Sequence, residues 1–516
     1  MYPLICLRQK HPDEDHATIL LEDATERMAR TMALLKKERN LRTRLGRLPD
    51  EILSKIFEYH TENSALEPGY IDDQFGWRDI VSVCSRWRSV AMTTPKIWAR
   101  INLAWATPLV EHCMRSSGTT PLRLLLQDNP PLTTEQIDAF GELMKSNRQR
   151  VIEIDIEWNV DSTLSRDFNN FLQSTMSDTY PMLRVLSLSS EVLLSEFPSV
   201  DFDSRNLETL TLRNFPPPPR QWSTCPRLKS LSLIGTVITP VENVEQIYDI
   251  LNQHPLLETF CLECVPNSQS SQEYLPPDNY ATQIAMPHLL TFTLHMPTLR
   301  GLRWLFEKLD LRSSTQLDLA IEDAHGLGDT TVTLPPILIS RMRTAVSLTL
   351  DRADIDVLSM IVSSSAAASD KLAICKFQGD LSDFPFESLE ELTVHGDIPS
   401  TDSTWSAMLE AWSNITSITL RNASLSDFFE AFVPDDSDEE ADVETVETDS
   451  EEASSIQSLC SSLRVLDIRT CKYEPSELLN FLKQRHEEGV RLDVYGRPRV
   501  CSRLPPKWNL DSGPST

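Results

Sequence analysis

The chain has 516 residues, with 48 Lys and Arg against 76 Asp and Glu, which gives a formal net charge of −28 at pH 7. A chain this acidic repels phosphate backbones and anionic lipid, so nucleic acid and membrane surfaces are disfavoured as partners. It is also too long for one core, because single cores stop growing near about 250–300 residues, so we expect several domains or an elongated repeat.

The N-terminal region predicts a disordered segment and then a helix. Residues 1–16 are predicted to be disordered, and residues 17–44 form a helix that contains no Gly or Pro. Glu38 and Arg42 occupy positions that a coiled coil fills with apolar side chains, so the coiled-coil signal is weak. A locally packed helix and a helix that dimerises or binds a partner both stay open. The apolar residues at partial heptad spacing are Leu21, Ala24, Met28 and Leu35.

Residues 48–59 predict a short amphipathic helix. Pro49, Asp50 and Glu51 suit its start, because proline tolerates the first turn and acidic side chains favour the positive end of a helix. Apolar residues then recur at helical spacing, which predicts one apolar face. The members of this face are Leu48, Ile52, Leu53, Ile56 and Phe57.

A second helix is predicted at residues 77–91, after a polar loop at 61–76. Pro95 and Trp98 close this small helical unit. A core of this size leaves apolar surface uncovered, which should be buried on another molecule. The residues predicted for the apolar face of the second helix are Ile80, Val83, Cys84, Trp87 and Val90.

Three motifs of this unit occur in the order found in the F-box. They are Leu-Pro-Asp-Glu-Ile-Leu-x-x-Ile-Phe at 48–57, Val-Cys-x-x-Trp-x-x-Val-Ala at 83–91 and Ile-Trp at 97–98. Residues 45–103 thus resemble an F-box, and the longer loop is similar to that of F-box-like fungal proteins. An amphipathic helical hairpin without an adaptor is the simpler alternative.

The resemblance implies docking to a Skp-type adaptor and, through it, to a cullin–RING ubiquitin ligase. By motif, the residues that face the adaptor or support that face would be Leu48, Pro49, Ile52, Leu53, Ile56 and Phe57. The residues that the resemblance assigns to the F-box core are Val83, Cys84, Trp87, Val90 and Trp98.

Residues 104–500 carry a repeated apolar pattern. Consecutive steps between early copies are 21 to 32 residues, which centre on the leucine-rich-repeat period. Each copy predicts a short strand and then a loop or a helix, as at 244–252 and 476–484. One unit cannot bury its apolar side alone, so the copies should stack. The template apolar-x-x-apolar-x-apolar starts at 183, 207, 228, 257, 289, 389, 415 and 463, and weaker copies start at 151, 317, 345, 372 and 492.

The predicted fold class is therefore α/β, with a small helical F-box followed by an irregular leucine-rich-repeat solenoid and a parallel concave sheet. The step from 415 to 463 is too long, and the excess is an acidic insertion, 434–455, which we predict to be disordered. Its core, 435–452, holds eleven acidic residues and no Lys or Arg. A passive spacer and an intramolecular competitor for nearby arginines both stay open. Residues 501–516 form a polar tail.

Strand alternation identifies the residues exposed on the concave face. Between the last two apolar positions of each copy, Ser and Thr dominate, which β-propensity explains. Two places further on, the residues are charged and varied, as either a recognition surface or a solvated edge would require. The candidate substrate-binding residues at this rim are Arg213, His295, His395, Arg421 and Arg469.

No motif for catalysis or for a cofactor stands out. Cys261-x-x-Cys264 has the spacing of a metal pair, but no second pair or His doublet accompanies it. Gly326-x-Gly328 lacks the third glycine of a phosphate loop, and a chain with only 14 Gly against 33 Pro does not favour a nucleotide-binding fold. We predict no enzyme, no metal and no cofactor.

The ten cysteines are spread without the spacing of a disulfide framework. The N-terminus lacks an apolar signal core, and no stretch approaches the ~18 apolar residues that span a bilayer. We therefore expect a reducing compartment with buried thiols, in the cytoplasm or the nucleus.

The function that these features favour is substrate recognition within a Skp–cullin–F-box ubiquitin ligase, where the F-box docks the adaptor and the repeats bind an unidentified protein substrate. Such a protein acts by raising effective concentration and performs no chemistry itself. Two alternatives stay open: a scaffold that binds the adaptor without directing ubiquitination, and an enzyme with a pocket hidden among the repeats.

Overall fold

The chain forms two compact units, Met1–Leu132 with Gln149–Asp155, and Thr133–Arg148 with Ile156–Thr516. The domain limits predicted from the sequence, 45–103 and 104–500, stay predictions. The computed structural model describes residues 12–63, 76–127, 134–158, 165–176, 179–191, 193, 205–218, 225–236, 242–264, 283–298, 305–323, 335–354, 357–363, 370–375, 381, 384–396, 404–432 and 460–496.

The first unit is mainly helical. Its two strands pair in parallel, with Ile101 opposite Leu124. Two short 3-10 helices, Leu45–Arg47 and Pro95–Trp98, lie within the predicted F-box. The longer elements are α1 (Pro12–Arg42), α2 (Asp50–Asn63), α3 (Gly76–Val83), α4 (Ser85–Met92), β1 (Arg100–Asn102), α5 (Thr107–Ser116) and β2 (Leu122–Gln127).

The first helix is longer at its N-terminus than the sequence predicts. It begins at Pro12, within the segment 1–16 that we expected to be disordered. The physical reason is local: proline suits the first turn, and Asp13, Glu14 and Asp15 follow it at the positive end of the helix. Residues 1–11 lie outside the described part of the chain.

The second unit alternates strands with helices or loops, and β3 (Val151–Trp158) spans the boundary between the units. The helices are α6 (Thr134–Asn147), α7 (Ser165–Met176), α8 (Glu242–Gln253), α9 (Pro336–Arg343), α10 (Thr404–Ala411), α11 (Ser426–Glu430) and α12 (Pro475–Glu487). The remaining strands are β4 (Val185–Ser190), β5 (Thr209–Arg213), β6 (Ser230–Thr236), β7 (Thr259–Cys264), β8 (Ile284–Met286), β9 (Thr291–Thr298), β10 (Leu309–Leu311), β11 (Gln316–Asp323), β12 (Ser347–Asp354), β13 (Val357–Ser363), β14 (Asp370–Cys375), β15 (Glu391–His395), β16 (Ser417–Arg421), β17 (Val465–Asp467) and β18 (Asp493–Tyr495).

Every predicted copy of the apolar template contains or overlaps a strand, so the α/β fold with a mostly parallel sheet is confirmed. Equivalent template positions lie opposite each other in neighbouring strands, since Leu186 pairs with Leu210 and Leu210 with Leu231. The same row continues through Phe260 to Phe292. All five side chains are buried. Stacking of identical positions therefore builds the core of this sheet.

One strand of the mostly parallel sheet runs antiparallel, a detail that the predicted parallel concave sheet did not include. The strand order in the second unit is β4-β5-β6-β7-β9-β11-β14-β13-β12-β15-β16-β17-β18, while β8 and β10 form a separate pair. Strand β13 is antiparallel to both β12 and β14. The chain thus leaves room for two strands between β11 and β12, and it returns through β13 to β14, which pairs in parallel with β11. The sequence analysis did not predict β13, although Val357, Met360 and Val362 have the spacing of the template.

An arginine–aspartate pair anchors this rearrangement. Arg341 of α9 donates from Nη1 to both carboxylate oxygens of Asp370, at 2.9 Å each, and to the backbone oxygen of Thr315 at 2.8 Å. Asp370 also accepts a hydrogen bond from the backbone nitrogen of Leu317 at 2.9 Å. Both charged side chains are largely buried. The first residue of β14 is therefore bound directly to β11, its non-consecutive neighbour.

The predicted acidic insertion 434–455 and tail 501–516 lie outside the described residues. Within the described part of the chain, no helix combines the length and the apolar character needed to cross a membrane.

Candidate functional site

Helix α2 presents two apolar rows, where the sequence predicted one face. Leu53 and Phe57 are buried, whereas Ile52 and Ile56 are 47% and 42% exposed. Neighbouring residues on a helix point about 100° apart, so a core that covers the row of 53 and 57 leaves the row of 52 and 56 outside. Tyr59 continues the exposed row at i+7 and is 71% exposed. We call Ile52, Ile56 and Tyr59 the α2 ridge.

The two residues before α2 occupy intermediate positions. Leu48 is half-buried and Pro49 is exposed. The backbone oxygen of Pro49 accepts hydrogen bonds from the backbone nitrogens of Ile52 and Leu53, at 3.2 and 3.1 Å. The structure therefore divides the six predicted adaptor-facing residues into an exposed group and a supporting core.

The supporting core is formed by aromatic side chains. The ring centroids of Phe57 and Trp87 are 5.1 Å apart. Trp98 is 2% exposed and donates from Nε1 to the backbone oxygen of Ala91 at 2.8 Å. Val90 is also buried and Trp87 is half-buried. These contacts place α2 against α4 and the 3-10 helix that ends at Trp98.

The predicted second helix is broken in two, which corrects the position of Val83. Cys84 adopts an extended backbone, and its Sγ accepts a hydrogen bond from the backbone nitrogen of Trp87 at 3.5 Å, so it caps α4. The break resets the helical phase between Ile80 and Trp87. Val83, predicted to belong to the core, is instead 54% exposed at the end of α3. Exposed Val83 adds apolar surface to this unit.

Arg86 is a structural residue that the sequence analysis missed. Its guanidinium donates to Asp50 Oδ1 from Nε at 3.0 Å and from Nη2 at 2.6 Å. It also donates to the backbone oxygens of Gly46 and Leu48. Arg86 thus holds the segment that leads into α2. The only signal in the sequence was a basic residue 36 positions after Asp50, which no local pattern links to a helix start.

Replacing Arg86 with alanine should loosen the start of α2. Hydrogen bonds to charged groups contribute about 1.5–3 kcal/mol, and Arg86 is partly exposed, so we expect the first unit to lose about 1–2 kcal/mol. Hydrogen exchange of the peptides covering residues 44–57 measures the change. Arg86→Lys keeps the charge without the guanidinium fork and should restore only part of the protection. Unchanged exchange in Arg86→Ala would contradict this role.

The second candidate surface is the exposed face of the sheet. Along each repeat strand, half-buried residues alternate with buried ones, as in β4, β5 and β7. The predicted Ser and Thr positions lie side by side in two runs and all are half-buried. The first run is Ser187, Thr211, Ser232, Cys261 and Thr293, and the second is Thr349, Thr393, Thr419 and Asp467.

The predicted rim residues form two groups on this face. Arg213 lies beside Ile234 in register, and His295 lies beside Glu263, with 3.9 Å between His295 Nδ1 and Glu263 Oε1. In the other group, His395 lies beside Arg421. At the spacing of ~4.8 Å between strands, five steps put His295 and His395 about 24 Å apart along the sheet.

Arg469 differs from the other rim residues because it is already paired. It follows β17 and donates to both carboxylate oxygens of Asp467, with the shortest contact 2.6 Å from Nη2. This hydrogen bond is the largest cause that lowers the pKa of Asp467, and the charge of Arg421 acts in the same direction. Arg469 therefore neutralises a neighbouring carboxylate, and of these two arginines Arg421 is the better placed to meet an external anion.

The two cysteines with metal-pair spacing point to opposite faces of β7. Cys261 is half-buried on the exposed face, and Cys264 is buried in the core. Residues three apart on a strand alternate sides, so these thiols cannot bind one ion together. Burial raises the pKa of Cys261, which opposes thiolate formation. In the described segments, no group of three or more His, Cys, Asp and Glu could hold a metal ion.

Comparison with known protein families finds one match within the chain. Residues 45–104 match the F-box-like family, which agrees with the resemblance over residues 45–103. The fungal type of the resemblance is not established by this match. No curated protein sequence matches the chain.

Two solved structures are similar to the chain at low identity. The plant peptide hormone receptor RGFR1 in complex with RGF2 is 11% identical, covers 72% of this chain and 54% of its own, and has a TM-score of 0.25. A TDR receptor is 12% identical, with 80% and 58% coverage and a TM-score of 0.20. The chain spans little more than half the length of these structures. Superpositions this poor carry no argument about fold or function.

Proposed function

We propose that this chain is the substrate-recognition subunit of a Skp–cullin–F-box ubiquitin ligase. In this role it is a non-catalytic component: the F-box-like segment binds a Skp-type adaptor, and the exposed face of the sheet binds a protein substrate. Proximity to the ligase-bound conjugating enzyme then raises the effective concentration of the substrate's lysines.

The observation that carries the proposal is the α2 ridge, which lies within the matched residues 45–104. A folded helix that keeps two isoleucines and a tyrosine in solvent has apolar surface available for a partner. The buried row of Leu53 and Phe57 holds this ridge in place without covering it. The transfer of a partner from family to chain is an analogy, and the ridge is what makes it physically plausible.

Truncating the two isoleucines of the α2 ridge should strongly weaken adaptor binding without unfolding the protein. Apolar anchors in a helix–groove interface are often worth more than about 1–2 kcal/mol each, so Ile52→Ala/Ile56→Ala should weaken binding by about 30-fold or more. Leu48 is a poorer choice because it is half-buried, and its truncation also disturbs the fold. Titration of the purified full chain with a Skp-type adaptor by calorimetry gives the affinities.

A matched control is Leu290→Ala, which truncates a leucine of the second unit that is 57% exposed. Adaptor affinity should not change in this variant. Equal affinity of Ile52→Ala/Ile56→Ala and the natural sequence would remove the proposed function.

The presence of cullin distinguishes a ligase subunit from a scaffold that binds the adaptor without directing ubiquitination. Affinity purification of the full chain, with and without proteasome inhibition, should recover the adaptor and cullin together, and substrate should accumulate under inhibition. Recovery of the adaptor without cullin would favour the scaffold.

The substrate is proposed to contact the sheet face near Arg213, His295, His395 and Arg421. The strands bring these residues onto one side of the sheet in two groups, which a substrate with two contact points could span. Arg469 contributes less, because Asp467 already occupies its guanidinium.

A further inference from the structure

Helix α1 has 31 residues. From residue 16 to residue 42, every side chain is exposed except that of Asn40, which is half-buried. A helix that packs against nothing obtains little stability in water, because most helical stability in proteins comes from covering an apolar face. Its large exposed apolar residues are Ile19, Leu20, Leu21, Met28, Met32, Leu34, Leu35 and Leu41.

Part of this apolar surface forms a stripe. Leu21, Met28 and Leu35 recur at intervals of seven and therefore lie on nearly the same side of the helix. Ala24 and Met32 lie next to them at intervals of three or four. Leu21 and Met28 are 71% and 70% exposed. The stripe is long enough for a helical partner and has none among the described residues.

The charges of α1 are separated along its length. Residues 12–26 contain six acidic residues and no Lys or Arg, whereas residues 27–42 contain six Lys and Arg and one acidic residue, Glu38. An acidic N-terminal half and a basic C-terminal half also suit the helix dipole. A helix with this polarity complements a copy of itself that runs in the opposite direction.

We propose that two copies of this chain associate through antiparallel pairing of their α1 helices. The surface is the stripe of Leu21, Met28 and Leu35, and the occupant is the same stripe of a second copy. This pairing does not depend on adaptor binding, so its test is independent of the test of the proposed function.

The sequence positions support this orientation. When the two helices cross at Met28, Leu21 of one copy lies level with Leu35 of the other. The acidic half of one helix, residues 12–26, then runs beside the basic half of the other, residues 27–42. In a parallel pair the same residues would face their own copies, so acidic residues would meet acidic residues and basic would meet basic. Like charges in register repel, which selects the antiparallel arrangement.

The ion pairs within α1 do not prevent this association. Arg27 binds Asp23 at 2.6 Å and Arg30 binds Glu26 at 2.5 Å, each one helical turn apart. All four side chains are largely exposed, and exposed pairs of this kind contribute little. Asp23 and Glu26 also lie about 140–160° around the helix from Met28, so these pairs stay on the outer side of the dimer.

The first test is the mass of the full chain in solution. Sedimentation equilibrium should give twice the 58.6 kDa of one chain at low salt. Met28→Glu places a charge at the crossing point and should return the mass to that of one chain. Ala33→Glu adds the same charge about 140° around the helix and should leave the dimer intact. A monomeric natural chain, or a dimer that survives Met28→Glu, overturns the proposal.

The second test determines the orientation. Chains carrying Leu21→Cys and chains carrying Leu35→Cys are prepared separately, mixed at high salt, dialysed to low salt and oxidised. Peptide mass spectrometry should find a disulfide between positions 21 and 35 in the mixture, and no 21–21 or 35–35 link in either protein alone. Links between identical positions would show a parallel pair and overturn the antiparallel assignment. The dimer should also weaken as salt rises, because the attraction between its acidic and basic halves acts through solvent.

Discussion

Trp98→Ala is expected to unfold much of the first unit and to abolish adaptor binding indirectly. Truncating a buried tryptophan typically costs about 3–5 kcal/mol, and Trp98 also satisfies the backbone oxygen of Ala91. Its ring lies 5.0 Å from Trp77 and 5.3 Å from His112 between centroids. The loss is a large fraction of the ~5–15 kcal/mol that stabilises a typical domain. Hydrogen exchange should show lost protection throughout residues 76–116.

Trp98→Phe is the matched control for this prediction. It keeps an aromatic ring in the core but leaves the Ala91 oxygen without its donor, so we expect a loss of about 1–3 kcal/mol and a folded unit. The α2 ridge variant should behave in the opposite way, with binding lost and protection kept. Native protection in Trp98→Ala would show that this side chain does not support the unit.

Arg485→Ala is expected to destabilise the second unit near the base of the acidic insertion. Arg485 is 1% exposed, and it donates to Glu488 from Nη1 and to the backbone oxygen of Cys460 from Nη2, both at 2.7 Å. Its guanidinium also lies 5.5 Å from the ring centroid of Phe432. Hydrogen bonds to charged groups contribute about 1.5–3 kcal/mol, and because Glu488 is not buried, we expect a total loss of about 2–3 kcal/mol.

The loss of stability should be concentrated where the chain enters and leaves the acidic insertion, because Arg485 contacts both places. Phe432 is the last described residue before the insertion and Cys460 is the first after it, and Gln484 of α12 also donates to the backbone oxygen of Phe432. Helix α12 therefore holds the chain on both sides of the insertion. Burial lowers the pKa of Arg485, against the charge of Glu488.

The measurement is urea unfolding of the full chain with hydrogen exchange on peptides from residues 404–432 and 460–496. Deletion of residues 435–452 is the matched control: it removes insertion residues but keeps both anchors, and a shorter loop changes closure entropy by only a few tenths of a kcal/mol to about 1 kcal/mol. Arg485→Ala should lower the midpoint much more than the deletion. Equal effects of the two changes would mean that the insertion itself stabilises the second unit, and not the contacts of Arg485 at its two ends.

Periodic features could be predicted from the sequence alone. The template located every parallel strand from β3 onward in the main sheet of the second unit, because the leucines at 186, 210 and 231 repeat the same local requirement: a short strand with alternate side chains buried. The F-box-like segment was also identified, because its motif is short and ordered. The start of α2 followed from Pro49 and Asp50.

The exposed half of the candidate site could not be predicted, because exposure depends on what packs nearby. The sequence shows that residues 52, 53, 56 and 57 are apolar, and only the packing of α4 against α2 determines that 53 and 57 are buried while 52 and 56 stay outside. Likewise, the spacing of Ile80, Val83 and Trp87 is consistent with one continuous helix when the sequence is considered alone. The cap at Cys84 interrupts it.

The sequence by itself therefore determined the α/β class, the register of the repeated strands and the segment that carries the F-box-like motif. The tertiary structure alone decided the order of β12, β13 and β14 within the sheet and the antiparallel direction of β13. It also decided the roles of Arg86, Arg341 and Arg485, each of which bonds a residue at least 25 positions away. The physical reason is the range of the interactions. Periodicity and capping act between residues a few positions apart, whereas a guanidinium satisfies whichever distant carbonyl or carboxylate the fold brings to it.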